Sequence, residues 1–520
     1  YSRFPAIDTD VRNRITPHGT HVSASVLGRG VLSAENTGAG GGAFRGMAPG
    51  ADLIFMKIGN DSTASSQDVN VIAALHDAVT LYGARVINMS YGGWGAYHDG
   101  SEADEQKADW CVDNGAAVFF SAGNGQSALR HYSVQLDPGE ESDFIAVHYS
   151  VPNGGFARPS FNLVYNDGLV ERHFATLRYF DANKQEITRV NYAPFTESPR
   201  GTESQYSSMK DTLVAGEHTI YLKMDNPTAS RQRMHLYEDE GVGSPRFEAA
   251  DPNYTIGSPA CADKVMAVAA FTTRSYFVDH SGAQWQYRQE QGKLATFSSL
   301  GPRVDEARKP DIAAPGTAII SLRDRDMGTQ PAWDWVDNDG RPGGEAMYQA
   351  MQGTSMASPI CAGAAALILE KYPQLTPLQL YDTLQAHARE DAFTGSVPNN
   401  SWGFGKLDVG FLSILPAAAP VWTKAAASLP AQGEAAELLV HASGVPFVLL
   451  HQAGGMEALL FRGNAAGTQW TEVLRKSALA GLTTLPNGSI AVFEPQAGRR
   501  FSTASQGGSW TEAAAPVGTR

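Results

Sequence analysis

A chain of 520 residues exceeds what one hydrophobic core usually holds, on the order of 100–200 residues, so two to four units are expected. Hydrophobic side chains make up 42% of it, enough for sizeable cores and too many for bulk disorder. The net charge of -14 argues against nucleic acid as a partner, because phosphate binding needs clustered Lys and Arg.

No apolar run reaches the roughly 18 residues of a membrane span. Residues 1–17 lack the apolar region of a signal peptide, and the opening Tyr1-Ser2-Arg3-Phe4-Pro5 reads as the middle of a longer chain. In residues 18–125 helical and strand patterns alternate. His18–Leu27 reads as a helix start, and Ala51–Ile58 (ADLIFMKI) fits a buried parallel strand. Val69–Tyr82 carries apolar residues at helical spacing, with Gly83 as its stop. Arg85–Met89 and Ala116–Phe120 read as two more buried strands. The alternation predicts an α/β fold with a doubly wound, mostly parallel sheet.

Residues 129–245 lose the helical period. Phe144–Ser150, Phe161–Tyr165, His173–Tyr179 and His218–Met224 alternate in polarity between turn residues, which predicts an inserted β-sandwich. Residues 258–415 return to the first style, with strands at Val265–Phe271 and Ala318–Leu322. Helices are expected over Ser355–Tyr372 and Leu378–His387, with Pro377 at a first helical position. In residues 416–520, Trp422, Trp470 and Trp510 recur 48 and 40 residues apart within the phrases VWTK, QWTE and SWTE. That spacing suggests propeller-like β repeats, of which two or three fit. A propeller needs at least about four blades, so the chain is expected to be cut at its C-terminus too. The expected division is an α/β domain from 1–128 and 246–415, a β-sandwich at 129–245 and a C-terminal all-β segment at 416–520. Cys111, Cys261 and Cys361 lie far apart without zinc-type spacing and read as three buried thiols, the alternative being one disulfide and one free thiol.

Four phrases carry chemistry. Gly353-Thr354-Ser355-Met356-Ala357-Ser358-Pro359 runs a glycine turn into a helix start, which presents a serine hydroxyl at an electropositive helix end. A plain helix cap at Thr354 or Ser355 is the structural alternative. His18-Gly19-Thr20-His21-Val22 offers His18 as a general base, though a packed or capping histidine fits the phrase alone. His21 reads as a packing residue. Ser121-Ala122-Gly123-Asn124-Gly125 follows a strand and places an asparagine amide where it could donate to an oxyanion, or simply makes an Asn-Gly turn. Asn88-Met89-Ser90-Tyr91-Gly92-Gly93 is a segment that could pair its backbone with a peptide, or a strand-ending turn.

HGTHV, INMSYGG, SAGNG, FSSLGP, KPDIAAPG and GTSMASP occur together in one order. Together they resemble the subtilisin-like serine proteases, peptidase family S8, over roughly 18–128 and 246–412. VLG, FRGMAPGADL and SWGFGKLDV resemble the bacterial alkaline members. The resemblance implies a secreted serine endopeptidase that hydrolyses peptide bonds in proteins through a Ser-His-Asp triad and an acyl-enzyme. Ser355 would be the nucleophile, His18 the base and Asn124 the oxyanion donor. Ser90, Tyr91 and Gly92 would line the substrate groove, and Ala313–Gly316 would pack beside the site. Partners would be protein or peptide substrates and a propeptide. The chemistry requires no cofactor. A structural calcium is compatible with the resemblance, but Asp337-Asn338-Asp339-Gly340 by itself reads as a solvated turn.

The third triad member departs from the pattern. It normally lies about 30 or more residues before the histidine, and only 17 residues precede His18 here. Asp8-Thr9-Asp10 imitates the expected Asp-Thr-Gly phrase, but Asp8 is ten residues from His18 and Asp10 replaces the glycine. The aspartate is therefore expected upstream of this chain. A peptide-binding pseudoprotease and an adhesion or carbohydrate-binding protein are the competing readings; the intact serine and histidine phrases disfavour the first, and the lack of an identifiable sugar-binding constellation in the β segments disfavours the second.

Overall fold

Alanine, valine and phenylalanine fill the strand Ala117–Ser121 up to its final serine, and such a run can only sit inside a sheet covered on both faces. The computed structural model describes residues 16–34, 44–60, 65–168, 174–239, 241–324, 334–338 and 345–414, eight C-terminal strands, and residues 479 and 510. Two compact units result, 1–415 and 416–520.

The first stretch holds α1 (His18–Leu27), α2 (Val31–Ala34), α3 (Asp68–Thr80), β1 (Val86–Met89), α4 (Ala103–Asp113) and β2 (Ala117–Ser121). Gly83 adopts φ +63 just beyond α3, a left-handed turn that glycine enters without strain. A reciprocal capping box between Glu102 and Glu105 starts α4. Ala51–Ile58 is not the strand its composition predicts: it has only a single bridge at Lys57, and Leu53 and Ile54 are exposed. An apolar run becomes a strand only where a neighbouring edge accepts its backbone bonds, and that partner is not a local property.

The insert contains β3 (His131–Leu136), β4 (Ile145–Ala157), β5 (Ser160–Asn166), β6 (Leu177–Phe180), β7 (Glu186–Ile187) and β8 (Val190–Tyr192). It continues with β9 (Thr196–Glu197), β10 (Thr202–Met209), β11 (Leu213–Met224), β12 (Gln232–Glu238) and β13 (Arg246–Phe247). One antiparallel sheet has the order β3-β12-β5-β10-β8, with β9 on β10; the other has the order β13-β4-β11-β6-β7. Phe161, Leu163 and Tyr165 from the first face Ile145, Val147, Tyr149 and Val151 from the second, each set spaced by two. β13 carries the sandwich past residue 245. The outer face of the first sheet is also covered, because Val164 and Tyr237 pack against Val304 and Trp94 of the α/β part.

The chain then forms β14 (Met266–Phe271), β15 (Tyr276–Val278), β16 (Gln284–Gln286), β17 (Ile312–Pro315), β18 (Ile319–Leu322), β19 (Trp335–Val336) and β20 (Tyr348–Met351). It closes this unit with α5 (Thr354–Lys371), α6 (Pro377–Ala386) and α7 (Phe411–Ile414). β1-β2-β14-β17 make one parallel sheet, so the insert is looped out between two adjacent strands. α5 packs against all four strands. The fold is the α/β architecture expected, with antiparallel sheets and an all-β segment added. Cys111, Cys261 and Cys361 are buried and free, as three small apolar residues. Asp337 and Asn338 are buried, not part of a solvated turn, and the Asn338 side chain accepts a bond from the Met347 amide. Asp339 and Gly340 lie outside the described residues.

In the second unit, β21 (Glu434–Val440), β22 (Pro446–His451), β23 (Ala458–Gly463) and β24 (Trp470–Lys476) form one meander. β25 (Ala480–Thr484), β26 (Ile490–Glu494), β27 (Arg499–Thr503) and β28 (Thr511–Ala514) form a second. Trp470 opens the fourth strand of one meander and Trp510 precedes the fourth strand of the other, so the repeated phrase marks one structural position. Trp422 lies outside the described residues.

The sheet is tied to α6 by one hydroxyl. Tyr381 Oη accepts from the Val118 amide at 2.6 Å and donates to the Val118 carbonyl at 3.0 Å. Val118 stands one residue before the first β2–β14 pair, Phe119 with Met266, where the ladder has not begun to satisfy it. Tyr381→Phe should therefore cost about 1–3 kcal/mol of unfolding free energy, read as a lower urea midpoint. An unchanged midpoint would show that the hydroxyl is dispensable.

Candidate active site

Gly353 turns the chain into α5 at φ +151, a region where a side chain is strained. Its amide donates to the Gly316 carbonyl at 2.8 Å, so Ala313–Gly316 does lie against the serine phrase. Thr354, fully buried, is not the side-chain cap its type allows. Its amide and its hydroxyl both donate to Asn124 Oδ1, at 3.0 and 3.1 Å, while the hydroxyl accepts from the Gly123 amide at 3.1 Å. With Oδ1 occupied by two donors, the Asn124 amide has a fixed orientation and its Nδ2 keeps both hydrogens for another acceptor.

Ser355 is the second residue of α5 and half-buried, where the helix N-terminus supplies a positive potential. Its carbonyl accepts from Ser90 Oγ at 2.8 Å. Asn88 donates to Ser90 Oγ at 3.3 Å and accepts from Ser358 Oγ at 2.7 Å. The phrases around 88–92, 121–125 and 353–359 are thus brought together by side-chain bonds across more than 200 residues of sequence.

His18 is the first residue of α1, and α1 packs on α5. The approach is close: a Cβ on Gly363 would lie 2.6 Å from Met47 and 3.1 Å from the Val26 carbonyl. Burial lowers the His18 pKa below its ordinary value, so the ring is neutral and basic at pH 7. Among the described residues neither its ring nitrogens nor the Ser355 hydroxyl has a hydrogen bond; Asp8 and Asp10 lie outside those residues. His21 is buried, with Nε2 3.1 Å from the Ile319 carbonyl and 3.2 Å from that of Gln349, and burial lowers its pKa to about 4. It is the packing residue expected.

Tyr91 is exposed and its hydroxyl accepts from the Ser66 amide at 2.9 Å. Gly92 approaches the Ser258 carbonyl so closely that a Cβ would lie 2.4 Å from it, and Gly93 and Ser258 exchange backbone bonds of 3.1 and 2.9 Å. Between these segments and Asn124 lies a cavity of about 240 Å³, bounded also by Trp94, Arg130 and Asp239. Of the residues singled out by the sequence phrases, Gly92 and Asn124 line this cavity, whereas Ser90 and Tyr91 do not. The phrases did not expose the roles of Asn88, Thr354 and Ser358, although all three stand inside them. Arg130 and Asp239 come from the insert and carry no local signal. Among the described residues no three His, Cys, Asp or Glu side chains are grouped to hold a metal ion, and no helix is long and apolar enough to cross a membrane.

The family model of the subtilases matches residues 5–218 and 246–405. Serine protease AprX of Bacillus subtilis (strain 168) is 41% identical over 131 residues, covering 25% of this chain and 26% of that protein. Minor extracellular protease Vpr of the same organism is 27% identical over 414 residues, 76% of this chain and 45% of its own length. C5a peptidase of Streptococcus pyogenes is 26% identical over 394 residues, 70% of this chain and 30% of that protein. The chain thus spans about a quarter to a half of these relatives. Among solved structures, the Clostridium perfringens CspB protease superposes with a TM-score of 0.56 at 17% identity, covering 78% of this chain and 82% of that one. That likeness is one of fold.

Burial alone would put the charge change of the His18 ring below about 6.5 in an NMR pH titration, and an acidic partner from beyond the described residues would move it up. A midpoint above that value would show that a carboxylate beyond the described residues reaches the imidazole, since an acidic neighbour favours the charged ring.

Proposed function

The chain belongs to the subtilase family, and we propose that it forms the catalytic part of a secreted serine endopeptidase with Ser355 as nucleophile and His18 as general base. The observation that best supports this is the locked amide of Asn124. An amide whose oxygen is bound on the helix side has only its nitrogen to offer, beside the serine at a helix start. That is what a developing oxyanion needs: a donor oriented before the reaction begins.

In this reading Ser355 Oγ adds to the peptide carbonyl carbon while its proton passes to His18. The carbonyl oxygen becomes an anion held by Asn124 Nδ2. Collapse breaks the C–N bond, His18 returns the proton to the leaving amine, and an ester to Ser355 remains. Water, deprotonated by His18, repeats the addition and releases the acid. The depressed pKa of His18 supports its role, because a neutral ring can accept the proton at pH 7. A carboxylate from outside the described residues would complete the triad by fixing the tautomer and stabilising the imidazolium. Ser90, Tyr91 and Gly92 would pair with the substrate backbone as an added strand. The chemistry draws on no cofactor. Secretion is supported by a relative named as an extracellular protease.

The test is labelling of the full-length protein with a fluorophosphonate, followed by peptide mass spectrometry. A single adduct on Ser355, absent in Ser355→Ala, is expected; a folded protein that takes no label would overturn the enzyme reading. Asn124→Ala should lower kcat about 10²–10³-fold with KM little changed, the magnitude known for losing one oxyanion donor in subtilisin.

A further inference from the structure

We propose that the cavity beside Asn124 receives a lysine or arginine side chain, so that the enzyme cleaves after basic residues, and that Asp239 of the inserted sandwich selects for them. This rests on the peptidase reading above.

The shape admits a long side chain. Gly92 and Gly93 form one wall, and Gly123 and Gly125 the other. Three of the four glycines leave no room for a side chain: a Cβ on Gly92 would lie 2.4 Å from the Ser258 carbonyl, one on Gly123 2.7 Å from Ser299 Oγ, and one on Gly125 2.7 Å from Trp94. A cavity of about 240 Å³ holds an extended cationic side chain or an aromatic one, so charge decides between them.

Two charged side chains bound the cavity, and only one is uncommitted. Arg130 donates through Nε to Glu238 Oε2 at 2.9 Å, and through Nη2 to the carbonyls of Glu238 and Asp239 at 2.8 and 2.6 Å. The Glu238 side chain is 1% exposed and that of Arg130 24%, so this is a partly buried ion pair whose two charges offset each other. The Asp239 carboxylate, by contrast, accepts no hydrogen bond among the described residues. Its backbone is held at both ends: its amide donates to the Ser160 carbonyl at 3.2 Å, and its carbonyl takes the arginine. Asp239 is an exposed residue bounding the cavity, and a carboxylate without a hydrogen-bond partner is free to pair with an arriving cation.

The aromatic wall points the same way. Trp94 is wedged by Tyr237 and His98, with ring centroids at 5.2 and 5.7 Å. An indole face favours a lysine or arginine head and packs well on its methylene stem. A third carboxylate, Glu102, stands behind the cavity, 3.4 Å from the Ser258 hydroxyl.

The experiment compares peptides differing only in the residue before the scissile bond: Lys, Arg, Leu, Phe and Glu. It uses full-length enzyme labelled stoichiometrically at Ser355 in a parallel sample, at pH 8, above the value of about 7 to which burial raises Glu238. kcat/KM for Lys and Arg should exceed that for Leu about 10–100-fold. Asp239→Asn should cut the Lys-to-Leu ratio at least tenfold, and Asp239→Glu should restore part of it. Enzyme whose parallel sample labels at Ser355 but which prefers Leu, Phe or Glu, or an Asp239→Asn variant with an unchanged ratio, overturns this inference alone. Failure of Ser355 to label overturns the peptidase reading and this inference with it.

Discussion

The site depends on how closely α5 can approach the sheet. Thr354, Ala357, Ser358, Cys361, Ala362, Ala364 and Ala365 are all fully buried, so the helix is enclosed on nearly every side over its first three turns. Only small side chains let a helix sink that far. Once there, its N-terminal part meets the ends of the strands and the segments that leave them: Asn88 near the end of β1 and Ser90 just beyond it, Asn124 beyond β2, and Gly316 beyond β17. Every one of these is at the carboxyl end of a parallel strand, the edge where α/β sheets gather their functional groups. Larger residues in α5 would lift Ser355 away from Asn124 with neither residue itself altered.

The sandwich is joined to this core by packing and by ions. Tyr237 stacks on His98 at 4.1 Å and on His131 at 4.6 Å, and His131 Nε2 lies 3.1 Å from His235 Nδ1. Nearby, Arg200 donates to the Asp99 carbonyl, Arg200 and Arg303 both hold Asp263, and Arg303 also binds Asp305. A sheet buried on both faces is not a loosely attached module. Its edge residues can therefore hold a fixed position at the cavity, which a tethered domain could not guarantee.

Much of this was legible in the sequence, for a physical reason. The serine, asparagine and histidine phrases encode local backbone shapes, a glycine turn into a helix or a strand running into a tight loop, and such shapes follow from a few neighbouring residues. α1, α3, β1, β2 and α5 appeared close to where periodicity placed them. What could not be read was long-range. Ala51–Ile58 has the composition of a strand without the ladder. Asp337-Asn338 has the composition of a solvated turn, yet both residues are buried. Arg130 and Asp239, about 109 positions apart, meet only because β3 and β12 pair.

The two ends of the insert are fastened to one another: the Phe247 amide donates to the Leu129 carbonyl at 2.8 Å. More than a hundred residues thus leave and re-enter the α/β unit through one closed doorway. Such a doorway separates two rates of change. The interior of the insert can be lengthened, trimmed or exchanged while β2 and β14 stay paired, so the rim that it contributes to the cavity can change without disturbing the sheet beneath.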